Sequence, residues 1–403
     1  MWELIRANQR KSVVLFVIMG IVLIALGFVI GLGLDPKGNG SGAIFGIIIA
    51  LVVWFIMSLI AVTSGSSIML SASGAKEVTE DVAPQLYNVV DEIRIAAGMN
   101  KMPKIYIINS DAPNAFATGM NPDKAAVAVT AGLLARMNRD ELQGVIAHEM
   151  SHVMNRDVRF MTIAGVMLGS IVIISEIFVR SMIFGGGGGK KGGQAQIIIM
   201  LIALVFAILA PILAQLLYFS ISRKREYLAD ASAARLTRYP EGLASALEKI
   251  SNSTEDMPMA NKVTAAMYIC NPLKKKGMKM SDLSSTHPPI SERIRILRAM
   301  AGGAGFNNYQ SAYNQIKGKT INIIPAGELK QQDDPGIRMG LTGAADDNKA
   351  MARSSSDIMM KVNNYSFINC DCGLKLKVPA NFTGDAVRCP RCGTIHQMSE
   401  FRG

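Results

Sequence analysis

Long apolar runs, separated by stretches of mixed polarity, set the first pattern along this chain. Four of them, roughly Val13–Leu34, Ala43–Val62, Phe160–Phe184 and Ile197–Ile221, reach the about 20 residues that a membrane helix needs. The first follows the basic flank MWELIRANQRK. Its apolar core is too long for a signal peptide and no small-residue cleavage site follows, so an uncleaved anchor is expected. The short DPKGNGSG turn then predicts a hairpin of the first two segments. The third segment carries Glu176 and Arg180, and three placements are open to them: near the membrane surface, paired inside the bundle, or lining a wet cavity. The GGGGGKKGG stretch between segments three and four lacks the flanking residues of a phosphate loop and reads as a flexible hairpin loop.

Elsewhere the pattern changes. In NRDELQGVIAHEMSHVMNRD, apolar Leu142, Val145, Ile146, Met150 and Val153 recur at helical spacing, with Asp140 and Glu141 suited to the first turn. SRKREYLADASAARL predicts another helix, and NSDAPNAFATG followed by MNPDK predicts a short extended run and a turn. From Gly302 to about Asn364 the chain is polar with scattered glycines, which predicts a linker, disordered in part.

Charge refines this picture. Lys and Arg exceed Asp and Glu by 42 − 31 = 11, a surplus that suits nucleic acid or the cytoplasmic loops of a membrane protein. Position decides between them. Arg6, Arg10 and Lys11 precede segment one, Arg156 and Arg159 precede segment three, and Arg223, Lys224 and Arg225 follow segment four. All fall on one side if every segment spans, against Lys37 and Lys190–Lys191 on the other. Both termini and the polar regions are therefore expected to be cytoplasmic in a multi-pass protein of the cell (inner or plasma) membrane, and nucleic acid is not expected as a partner.

The candidate chemistry lies on the first predicted helix. His148 and His152, two of only four histidines, stand four residues apart and project from one helical face, where both imidazoles can hold one Zn²⁺. Glu149 sits beside them, angled away from ligation but placed to take a proton from an attacking water. The bland alternative is two histidines capping a buried helix. A zinc peptidase needs a third ligand. Glu226 can supply it, while Asp230, one turn on, can hydrogen-bond the far nitrogen of a ligating histidine and fix its tautomer. Read alone, both would pass for surface acids beside a basic cluster.

H-E-x-x-H-x-x-N-x-D, a membrane hairpin, and then S-R-x-x-E-Y-x-A-D resembles the HtpX-type integral-membrane zinc peptidases, gluzincins related to the CAAX prenyl endopeptidases. The resemblance spans residues 1 to about 300. It implies zinc ligands His148, His152 and Glu226, Glu149 as general base, and Asp230, Asn155 and Asp157 in support of the ligands. It further implies that Asn114, Ala115 and Phe116 lie on an edge strand where substrate backbone pairs by strand addition; by itself the segment is a strand-and-turn signal with a buried Phe116. In STHPPISERIRIL, the resemblance places His287 near the cleft, steadying the developing oxyanion, and groups Arg293 with it at the substrate; either can equally be structural. Because segments three and four interrupt the ligand set, the active site is expected at the membrane surface.

The tail departs from that family. Cys370 and Cys372 pair with Cys389 and Cys392, each couple followed by glycine, around a β-prone stretch. This resembles a zinc ribbon, with a C-x-C spacing tighter than the usual C-x-x-C. Two disulfides are the competing reading, against which the expected cytoplasmic placement argues. His396 follows and offers an alternative ligand or an ordinary surface histidine. Cys270 and the 25 methionines are expected in cores and membrane helices.

The expected architecture is an α-rich membrane protein with four transmembrane helices, a cytoplasmic α+β zincin-like protease domain and a small C-terminal β zinc ribbon. Residues 1–65 form the first hairpin, 66–302 the protease domain interrupted by a second hairpin at about 160–221, 303–364 the linker and 365–403 the ribbon. The expected function is a zinc-dependent endopeptidase of membrane or misfolded proteins, using one catalytic and one structural zinc. A CAAX-type processing peptidase is one alternative. The other is a membrane scaffold that binds partners without hydrolysis, which has no use for the intact Glu149. Physiological substrates and oligomeric state leave no readable mark.

Overall fold

The computed structural model describes residues 2–33, 35, 40–184, 194–219, 223–257, 260, 264–270, 272, 288–300, 302–318, 320–329, 335–340 and 348–398. Two long helices open the chain, α1 (Trp2–Gly33) and α2 (Ser41–Ala72). They pack as the expected hairpin through facing glycines. A Cβ on Gly46 would stand 2.1 Å from the Gly27 carbonyl oxygen, and one on Gly31 would stand 2.2 Å from that of Gly42. Only glycine permits this backbone approach, which is how apolar helices associate where the hydrophobic effect gives no help. The outward face of α2 leaves Phe45 and Phe55 about two-thirds exposed, a surface that lipid covers and water would not tolerate.

A small mixed sheet follows, made by β1 (Ala75–Glu77), β2 (Lys104–Ile108), β3 (Ala115–Thr118) and β4 (Ala126–Thr130). Its order is β1-β2-β4-β3, with β2 and β4 parallel and the outer strands antiparallel. Strand β3 therefore forms an edge. Alternation along the strands splits the sheet into two faces. Ile105, Ile107, Ala115, Ala117, Val127 and Val129 join the main core. Phe116, Ala126 and Ala128 pack instead with Ala61, Met69 and Leu70 of α2 and with Val166. The sheet thus rests directly on the membrane helices.

The helices behind the sheet are α3 (Pro84–Ala96), α4 (Ala131–Arg136) and α5 (Arg139–Met154). A capping box starts α5: the Asn138 side chain accepts from Glu141 N–H, and the Glu141 carboxylate accepts from Asn138 N–H, both at 2.9 Å. At its end Arg156 takes φ 59°, a left-handed value that turns the chain sharply into α6 (Asp157–Phe184), which α7 (Gln194–Phe219) follows. Three described helices are long and apolar enough to cross a membrane, in α1, α2 and α6, while α7 carries a shorter apolar stretch, Leu201–Ala214. Glu176 and Arg180 form a loose pair along α6, 3.9 Å apart and exposed, not paired inside the bundle. The glycine-rich loop lies outside the described residues.

Next come α8 (Arg223–Thr237), α9 (Pro240–Asn252) and α10 (Ile290–Arg298). The stretch expected to be a polar, partly disordered linker is built differently. Residues Phe306–Lys317 form α11, whose Phe306, Tyr309, Ala312 and Tyr313 belong to the main core. The short α12 (Ala326–Leu329) follows, then α13 (Asn348–Val362). Ile358, Met359 and Val362 of α13 pack on the same core, and Ser355 donates to the Ala131 carbonyl at 2.7 Å. The chain closes with two hairpins, β5 (Ser366–Asn369) with β6 (Lys375–Val378) and β7 (Ala386–Arg388) with β8 (Ile395–Gln397). Asp357 of α13 holds the first hairpin through Lys375 and Lys377, at 3.0 and 2.7 Å.

Candidate metal centre

His148 and His152 both face Glu226 of α8. His148 Nε2 lies 3.7 Å and His152 Nε2 3.4 Å from the Glu226 carboxylate, and the two rings meet edge to face at 4.9 Å. Each Nδ1 is committed elsewhere: His148 to Asp230 at 3.0 Å, His152 to Asp157 at 3.3 Å. This arrangement fixes the tautomers and turns both Nε2 atoms inward. One ligand atom from each of His148, His152 and Glu226 lies within 4.8 Å of the others. Two imidazoles and one carboxylate at this spacing suit Zn²⁺ and leave further coordination open.

Glu149, 2 % exposed, accepts a hydrogen bond from the Ala117 N–H of β3 at 3.0 Å. Its other oxygen has no hydrogen-bond partner. Burial pushes the carboxyl up to about 8, with His152 pulling the other way and Glu226 adding to the rise; a divalent cation on the adjoining triad pulls it down. Burial opposes the charge of both imidazoles as well, yet neighbouring carboxylates leave each raised above its usual value, Asp230 and Glu226 acting on His148, and Asp157 and Glu226 on His152.

Around this centre the expected residues are distributed unevenly. Arg293 is wholly buried and grips Asp230 with two bonds of 2.8 and 2.7 Å, with Glu226 at 3.6 Å. It faces the two acids and the ring of His148, 3.4 Å from its Nη2. Asn155 caps α5 and lines a cavity of about 370 Å³ with Ser151, Ser232 and Phe306; its buried amide nitrogen has no hydrogen-bond partner. His287 lies outside the described residues. Asn114 leads into the edge strand, but the outer side of that edge is already occupied. Ala115 C=O accepts from Ile269 N–H at 2.9 Å. The Asn114 side chain donates to Cys270 C=O at 2.9 Å and accepts from its N–H at 3.3 Å. Phe116 is buried against Tyr268, ring centroids 5.0 Å apart.

In the tail, Cys370 Sγ lies 3.3 Å from Cys392 Sγ, and Cys372 Sγ 3.7 Å from Cys389 Sγ. All four cysteines are free of disulfides and form one cluster. Zn–S bonds of about 2.3 Å in a tetrahedron place sulfurs about 3.8 Å apart, so the set fits a closed zinc site.

Residues that the motifs did not single out brace the helices that carry the centre. Arg225 was legible only as a basic flank of segment four, yet it is buried beside Asp157. Arg338 crosses the first turn of α5, donating to Asp140 and Gln143 at 2.7 Å each.

A paired-histidine helix, a carboxylate from the next helix and a buried glutamate beside them, set on apolar membrane helices, define a membrane-anchored zinc metalloendopeptidase. The chain belongs to peptidase family M48, whose model matches residues 80–301. It is 46% identical to a protease HtpX homolog of Dictyoglomus thermophilum over 74% of this chain and 94% of that one. Homologs of the same name in Streptococcus agalactiae and Listeria monocytogenes are 42% and 45% identical, each over 74% of this chain and all of theirs. The likeness to the crystal structure of S. mikatae Ste24p is distant, with TM-score 0.36 and 20% identity over 73% of this chain and 66% of that one. As a member of this protease family, the chain acts on protein substrates in a membrane setting.

Proposed function

We propose that the chain cleaves membrane-inserted or misfolded polypeptides at the cytoplasmic membrane surface, with one zinc at His148, His152 and Glu226 and a second, structural zinc at Cys370, Cys372, Cys389 and Cys392. His148, His152 and Glu226 would hold the first zinc, whose chemistry when bound would be Lewis-acid activation of water and of the scissile carbonyl. Glu149 takes the water's proton and delivers it to the leaving amine. Asp230 and Asp157 hold the two imidazoles by Nδ1, and Arg293 neutralises Asp230 in the dry interior. The observation that carries this reading is the inward convergence of both Nε2 atoms on Glu226, with Glu149 alongside.

The orientation rests on connectivity and charge. The C-terminal end of α2, the start of α6 and the start of α8 all enter the sheet-and-helix unit, so that unit sits at one end of the helices. The basic residues outside the bilayer gather at the same end. Four spanning segments, with α7 as the fourth, follow if the chain crosses once between α6 and α8. Reporter fusions test this: after Lys76 and at the C-terminus they should read cytoplasmic, and at Gly187 external. A cytoplasmic Gly187 reporter would make α6 and α7 re-entrant.

A further inference from the structure

Each histidine of the centre leans on a carboxylate, and each carboxylate leans on a buried arginine. Arg293 serves Asp230. Its counterpart is Arg225, 4% exposed, whose Nη1 lies 3.4 Å from Asp157 Oδ1, while the other Asp157 oxygen meets His152 Nδ1 at 3.3 Å. The guanidinium also stands 5.7 Å over the ring of Phe160, one turn along α6. Asp157 begins α6 and Arg225 lies in the first turn of α8. The pair therefore joins the two ends of the membrane hairpin, and Arg225 is the covalent neighbour of Glu226. One side chain thus ties the ligand on α8 to the ligand on α5 across the whole insertion.

The arrangement is costly unless it is used. Arg225 Nε and Nη1 find no hydrogen bond of good geometry, and a buried guanidinium with unfilled donors destabilises a fold. A packing role alone is served by an apolar side chain of similar length. We propose that Arg225 is a positioning residue, which clips the start of α8 to the start of α6 through Asp157 and thereby holds His152 in its metal-facing orientation. The proposal rests on the assignment of His152 and Glu226 as zinc ligands.

The test uses the full-length protein in membrane-like particles and four variants: Arg225→Met, Arg225→Lys, Asp157→Asn and the Arg225→Met/Asp157→Asn double. Zinc is titrated away with a competing chelator, and the release step belonging to the His/Glu site is identified by its loss in Glu226→Ala. Arg225→Met and Asp157→Asn should each weaken that step by about tenfold or more, the size typical of residues that orient a metal ligand. In both, kcat on a soluble protein substrate should fall at saturating zinc while KM holds. Arg225→Lys should recover part of the affinity, and the double variant should be no worse than Asp157→Asn alone within about twofold, because the two changes break one linkage. Zinc affinity of Arg225→Met within about twofold of the starting protein, or losses that multiply in the double variant, overturns the proposal. So does a lower melting temperature with unchanged zinc release, which is the mark of packing alone. Glu149→Gln, run alongside, separates the two readings: if it turns over normally, the peptidase assignment fails while the zinc-release comparison still stands.

Discussion

Ile269 donates its backbone N–H to the carbonyl of Ala115 at 2.9 Å, so the chain itself pairs with the outer side of the strand that borders the metal centre. A substrate adding to this edge meets a competitor at Ala115, and Ala117 N–H, the next outward donor, is committed to Glu149. Entry by strand addition at Asn114–Phe116 therefore requires residues 268–270 to give way. Ile269→Pro removes the competing donor. Losing one hydrogen bond of about 1 kcal/mol corresponds to roughly a fivefold change, so KM for a protein substrate should fall by about that factor while kcat is kept. Michaelis–Menten curves on a fluorogenic casein check this; an unchanged KM would mean that substrate does not use this edge.

Glu149 and Glu226 should separate on mutation. Glu149→Gln leaves both histidines and Glu226 in place but removes the proton acceptor, so zinc content should hold while turnover drops about 10²-fold or more. Glu226→Ala removes a ligand atom, so zinc itself should bind more weakly. Metal analysis beside a hydrolysis assay decides: a Glu149→Gln protein as active as the parent sinks the general-base role, and unaltered zinc binding in Glu226→Ala removes Glu226 from the ligand set.

Much of this centre was readable in the chain because its chemistry is local. His148, Glu149 and His152 share two turns of one helix, and Glu226 and Asp230 share another, so spacing alone sets their common faces. The rest depends on tertiary approach. Nothing near Ala117 signals that its N–H reaches Glu149, and Arg225 carries the same local signature as its unburied neighbours in a basic flank. Helix α11 was hidden by composition: Phe306, Tyr309, Tyr313 and Ile316 recur at helical spacing, but asparagine, glutamine and nearby glycines gave the stretch the look of a linker. Helix α13 needed its partner α4 to be seen at all.

The tail beyond the family match should matter to stability. Arg338 donates to Asp140 and Gln143, to the Thr237 carbonyl at 2.9 Å, and lies 5.0 Å over the Tyr239 ring. It straps the start of the metal helix to the end of α8. Arg338→Ala removes the bonds to Asp140, Gln143 and the Thr237 carbonyl together and should lower stability by about 1–3 kcal/mol, read as a lower melting temperature. A chain ending at Gly303 loses α11 as well, uncovering Tyr227, which packs on Tyr313 with ring centroids 5.0 Å apart. That chain should unfold readily or lose activity, whereas one ending after Val362 keeps both helices and should still cleave. Full activity in the chain ending at Gly303 would show that α11 and the Arg338 strap add nothing to the catalytic unit.

The cysteine cluster should load and fail independently of the peptidase centre. Cys370, Cys372 and Cys389 belong to a separate small core with Ile368, Leu376, Val378 and Met398, Cys392 closes the cluster from its exposed side, and the set shares no ligand with His148, His152 and Glu226. The hydroxyl and backbone of Thr394 lower the Cys392 thiol, while the hydrogen bond between the two thiols raises its neighbour Cys370, so the first thiolate of the pair forms on Cys392. With so few apolar residues, the two hairpins should need a bound metal in order to fold. Replacing Cys389 and Cys392 by Ser should therefore remove one zinc of two and unfold the hairpins, while hydrolysis of a soluble substrate continues, because α13 is held to the protease unit by Ser355 and by Ile358, Met359 and Val362. Chelator, not reductant, should melt the tail of the parent protein. If the double variant still holds two zinc ions, or if reductant melts the tail, the cluster is not a zinc site. If hydrolysis is lost with the hairpins, the tail belongs to the catalytic unit.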